Sequence, residues 1–72
     1  MTKEEIIAYK TTNQIKIYKL NQIGLSSSEI AQEMQPLFKP GDDSKRVYYV
    51  NSILKEFQKD KSKIEKANKI PD

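Results

Sequence analysis

The 72-residue chain contains no cysteine and no histidine. Without thiolates it can form neither a disulfide nor a sulfur-ligated metal site, and without imidazole the usual zinc ligand sets cannot be assembled. No cofactor and no metal are expected. No apolar run approaches the roughly 18 residues that a membrane-spanning helix requires, so a membrane is not expected among its partners. The start Met1-Thr-Lys-Glu-Glu has no apolar h-region, and the expected location is cytoplasmic. The carboxylates fall singly or as the adjacent Asp42 and Asp43, a placement that suits helix starts better than the converging acid pair of a hydrolase. The loop Lys39-Pro40-Gly41-Asp42 lacks the several glycines and the following Lys-Ser/Thr that cradle a nucleotide phosphate. The chain is therefore expected not to be an enzyme.

What is present is a small, polar, foldable domain. With 36% hydrophobic and 32% charged residues it has enough Ile, Leu, Val and aromatic side chains to escape the disordered class. A chain this short forms one domain and buries only about 60% of the surface its unfolded form exposes, so binding on an outer face is easier to build than a deep cleft. Below about 70 to 80 residues a single core supplies little stability, which makes a homodimer an expected state. The net charge of +3 is compatible with a polyanionic partner. Lysines 59, 61, 63, 66 and 69 outnumber Asp60, Glu65 and Asp72 in the C-terminal segment, and Lys16 and Lys19 stand on the first long helix without a neighbouring acid. The basic extension over residues 59–72 reads by itself as a solvated, fraying helix end.

From Thr2 to Ile23 nothing breaks a helix, and Ile6, Tyr9, Ile17, Leu20 and Ile23 fall within one arc of a 3.6-residue repeat. Ile7, Ile15 and Tyr18 occupy a second arc, which in a continuous helix would meet a partner chain. The alternative is a break, with Thr11 and Gln14 at capping-box spacing, a fresh helix near Thr12 and residues 3 to 10 as a separate short one. Gly24 suits the left-handed position past a helix end, Ser26 and Glu29 have capping-box spacing, and Leu25 with Ile30 forms a hydrophobic staple. The helix so begun carries Ile30, Ala31 and Met34 and stops before Pro36. Two prolines and a glycine make residues 35–41 a loop, pinned by Leu37 and Phe38, and Asp42 or Asp43 caps a third helix over about 43–60. There Val47, Val50, Leu54 and Phe57 form an apolar stripe with Ile53 at its edge, and the helix is free to run on through Ile64. Lys45, Tyr48, Tyr49, Ser52, Lys55 and Lys59 cluster on the other side, with Glu56 among them and Arg46 on one flank.

The segments IYKLNQIGLSSSEIAQEM (17–34) and RVYYVNSIL (46–54) resemble the helix-turn-helix DNA-binding domains of bacterial and phage regulators, resolvases and transposases. The likeness covers roughly residues 15 to 57 and rests on L-x3-G-L-S-x2-E-I-A followed by V-x2-I-L. It implies an all-α fold, a three- to four-helix helix-turn-helix domain with a long C-terminal helix, and a major-groove reader over 43–60. It also implies that Ser44, Lys45, Arg46, Tyr48 and Tyr49 meet bases or phosphates, while Ala31, Val47 and Val50 pack. Ser27 and Ser28 at the start of helix two, with Lys39, Ser52 and Lys55, complete the expected contacts to double-stranded DNA. The sequence departs from the pattern in one respect: Ala31 and Val47 are 47 − 31 = 16 positions apart, where the family has about ten. Either the longer loop bulges out as an accessory contact, or helices two and three meet at another angle. A small sequence-specific DNA-binding protein, a transcription regulator, is thus the leading expectation. The alternative is a helical adaptor or inhibitor gripping a protein partner through the Tyr48/Tyr49 face.

Overall fold

A computed structural model describes residues 2–35 and 43–69, the side chains of residues 43–45 excepted. The fold is all-α, with five helices in the order α1 (Lys3–Ala8), α2 (Asn13–Gln22), α3 (Ser27–Glu33), α4 (Asp43–Lys59) and α5 (Lys61–Asn68). The loop anchors Leu37 and Phe38, the loop residue Lys39 and the expected cap Asp42 lie outside the described residues.

The N-terminal segment takes the broken form. Thr2 and Glu5 close a capping box on α1, each satisfying a backbone N–H of the other. Tyr9 then leaves the helix with extended backbone, and α2 begins with Thr12, whose hydroxyl accepts from the Ile15 N–H. The cap is therefore Thr12, one residue after the Thr11 that the capping-box spacing favours. Because the chain bends, α1 packs on α2, and the second apolar arc of Ile7, Ile15 and Tyr18 lies partly buried against the molecule's own core. Ile23, expected on the buried face, is 44% exposed, since it caps α2 where the chain turns away.

The joint between α2 and α3 is built from local backbone chemistry. Leu25 N–H donates to the Leu20 carbonyl and Gly24 N–H to the Asn21 carbonyl, the paired bonds of a Schellman ending. Gly24 has φ +108°, which an L side chain rarely adopts. Ser26 and Glu29 then close a full capping box on α3. Hydrogen bonds with the Ser26 backbone and then with its side chain favour the charged form of Glu29, whose carboxyl is held below the usual carboxylate range.

The core gathers Ile6 from α1, Ile17 and Leu20 from α2, Ile30, Ala31 and Met34 around α3, and Val50, Ile53 and Phe57 from α4. Each large aliphatic or aromatic side chain so buried contributes about 1.5 to 3 kcal/mol relative to exposure. Tyr18 stacks on Phe57 with ring centroids 4.6 Å apart and planes 15° from parallel. Ile53, expected at the stripe's edge, is central and fully packed, with Val47 and Leu54 flanking.

The C-terminal segment differs from expectation. α4 stops at Lys59; Asp60 takes extended backbone and its carboxylate accepts from the Ser62 N–H, starting α5. α5 turns back onto α2 and α4, buries Ala67 completely and lays Ile64 against the core. The segment expected to fray is thus part of the fold as far as Lys69.

Candidate nucleic-acid interface

α4 is amphipathic in the strict sense that one side is core and the other meets solvent. At 100° per residue, Tyr48, Asn51, Ser52, Lys55 and Lys59 fall within one arc about 100° wide, opposite Val50, Ile53 and Phe57. Tyr48 is 76% exposed, and Asn51, Lys55 and Lys59 are exposed while Ser52 is half-buried. Tyr49, at 39%, sits on the flank. Ser52 is less available as a donor than its sequence position suggests: its hydroxyl donates to the Tyr48 carbonyl one turn earlier, at 3.1 Å.

The start of α3 lies beside this stripe. Ser27 Oγ donates to Asn51 Oδ1 at 2.5 Å, so the first residue of α3 and the middle of α4 share one hydrogen bond on an exposed surface. Ser28, the next residue, is exposed and stands at the rim of a cleft of about 210 Å³ lined also by Ala31, Gln32, Gln35, Arg46 and Val47. Asn51 is the member of this cluster that sequence reasoning missed. Its spacing of three from Tyr48 and four from Lys55 places it on the stripe, but the hydrogen bond from Ser27 joins residues 24 apart and has no local signature.

Arg46 corrects the expected set. Placed by the resemblance at a base or phosphate, it is only 7% exposed and lies in the cleft between α3 and the first turns of α4. By helical angle it lies between Ile53 and Phe57, about 20° from each, on the buried side of α4 that packs against α3. Ser44 and Lys45 belong to the first turn of α4, but their side chains, like Lys39, lie outside the described residues.

The cations divide into two groups. Lys16 and Lys19, expected as free positive charge on the first long helix, are 9% and 7% exposed. Lys16 Nζ donates to the Ile7 carbonyl in the last turn of α1, satisfying a backbone acceptor that the helix itself leaves open. Lys55 and Lys59 on α4 and Lys61, Lys66 and Lys69 of the α5 segment are exposed, and Lys63 reaches back to Glu56 at 3.0 Å across the α4–α5 junction. The exposed stripe of α4 therefore leads into a predominantly basic C-terminal end.

Among the described residues no three His, Cys, Asp or Glu side chains gather as a metal site would require, and no helix is long and apolar enough to cross a membrane. Comparison of the chain with protein-family models, with curated proteins and with solved structures finds no match in any of the three.

Proposed function

We propose that the protein binds double-stranded DNA, inserting α4 into the major groove, and that it serves as a transcription regulator of the helix-turn-helix kind. The observation that carries this reading is the exposed stripe of Tyr48, Asn51, Ser52, Lys55 and Lys59 on a helix whose opposite side is core. A major groove about 12 Å wide accepts one helix of this diameter, and outward side chains at i, i+3 and i+4, here Tyr48, Asn51 and Ser52, are those that face its floor. Lys55, Lys59 and the exposed cations of α5 are in this reading the groups that meet flanking phosphates, and Ser28 offers a hydroxyl from α3. A single module of this size buries too little surface for tight operator binding, so the acting form in this reading is a homodimer in the cytoplasm.

The test is binding to random-sequence duplex at about 50 mM and about 200 mM salt. Affinity should fall steeply with salt, because lysine–phosphate contacts release counterions. Lys55→Ala with Lys59→Ala should lower the log–log slope by about 1.8, at about 0.9 for each phosphate no longer neutralised. Both side chains are exposed, so the melting temperature should stay nearly unchanged. Arg46 is unsuited to this test, since truncating it opens the packing of α3 on α4. No binding at the lower salt, or binding indifferent to salt, sinks the reading and leaves the 76% exposed Tyr48 as the anchor of a protein–protein surface.

A further inference from the structure

We propose that Asn51, held by Ser27, is the residue that makes the α4 surface select adenine. The inference rests on the DNA reading above and goes beyond it by naming the base and the residue that recognises it. In the major groove adenine offers an acceptor at N7 and a donor at N6, whereas guanine offers two acceptors at N7 and O6. A planar carboxamide, with one acceptor oxygen and one donor nitrogen side by side, matches the first pattern and mismatches the second.

Gln58, the other exposed carboxamide of α4, falls about 20° outside the arc and lines a cleft with Tyr18, Asn21 and Ile64 beside α2 and α5, and the remaining groups of the arc are less suited to that pattern. Lys55 and Lys59 only donate, and the Ser52 hydroxyl proton is committed to the Tyr48 carbonyl. Tyr48 presents a ring with a single hydroxyl. The guanidinium that most often reads guanine is not offered here, because Arg46 is the one arginine in the chain and α3 covers it.

The bond from Ser27 gives Asn51 more than a place on the arc. Donation from the Ser27 hydroxyl uses one of the two lone pairs on Oδ1 and anchors that end of the amide at the start of α3. The second lone pair and both Nδ2 protons remain for a base. Because Ser27 starts α3, the same bond ties the amide to a second helix and restrains an exposed rotamer before DNA arrives. Ser27 acts as a positioning residue in this scheme, not as the phosphate donor its sequence position suggests.

The experiment is selection of bound fragments from a random duplex pool, followed by affinity measurements on the selected site with single-base changes. Wild type should enrich adenine at one position of each half-site, and replacing it should cost roughly 10- to 100-fold in affinity. Asn51→Ala should abolish that preference, so that the selected site and its single-base variants at that position are bound equally, whatever the loss in overall affinity. Asn51→Asp, which keeps an acceptor but loses the donors, should move the preference towards cytosine. Ser27→Ala should weaken discrimination by less than Asn51→Ala does, and Ser27→Thr, which keeps the hydroxyl, should restore it. Duplex binding with no adenine preference, or an adenine preference that survives Asn51→Ala, overturns the assignment while the DNA reading stands. Failure of wild type to bind any duplex overturns both.

Discussion

The α2–α3 joint and the α4–α5 junction each end one helix and start the next within a few residues, and they are made in different ways. At the first, a positive-φ glycine, a Schellman pair of hydrogen bonds and a capping box follow one another within six residues. At the second there is no glycine and no proline; Asp60 caps α5, Lys63 bridges to Glu56, and α5 is held by burial of Ala67 and partial burial of Ile64 against α4 and the distant α2. One junction is specified by backbone conformations available to a short peptide. The other exists because a surface was there to be covered.

The largest expected break of this contrast is Ala67→Asp. Ala67 is fully buried, so a carboxylate there would be cut off from water without a counter-charge in place, and stability should drop by about 3 kcal/mol or more. Chemical denaturation checks it; a destabilisation below about 0.5 kcal/mol would return α5 to the status of a solvated tail. An intermediate effect is expected at the other junction from Gly24→Ala. No atom lies within 4 Å of the added Cβ, so the whole penalty is conformational, about 1 to 2 kcal/mol at φ +108°. A neutral result would show that the joint relaxes to a negative φ without disturbing α3.

The smallest effect separates the charge of the α3 cap from its geometry. Glu29 titrates below its usual value of 4.5 because the folded state favours the carboxylate. Its contribution is therefore fully present above the unfolded value and disappears as pH falls through the lower folded one. Glu29→Gln keeps an oxygen for the Ser26 N–H but removes the titration, so its melting temperature should decline less steeply than wild type between about pH 5 and pH 3. Parallel curves would mean that Glu29 adds no pH-dependent stability.

The candidate site divides in the same way into parts that are legible in the sequence and parts that are not. Tyr48, Ser52, Lys55 and Lys59 stand on the outer face of α4 as the periodicity predicts, since helical spacing alone fixes which side opposes Val50 and Phe57. Arg46 does not: its spacing to Val50, Ile53 and Phe57 puts it on the apolar side, and only its charge suggests an outward position. Lys16 and Lys19 read as free charge in the sequence for the same reason. A lysine's residue type says that its end is cationic, not that a neighbouring helix will end within reach of it, as α1 does at Ile7.

Local punctuation is written in the sequence: Gly24, the Ser26 and Glu29 box, the stop of α3 and the two-sided character of α4 all follow from interactions spanning a turn or less. The break near Thr12, the return of α5 and the pairing of Ser27 with Asn51 came only from tertiary contacts. Those depend on which distant surfaces meet, and the free energy of burying them outweighs the small local preferences that a linear pattern records.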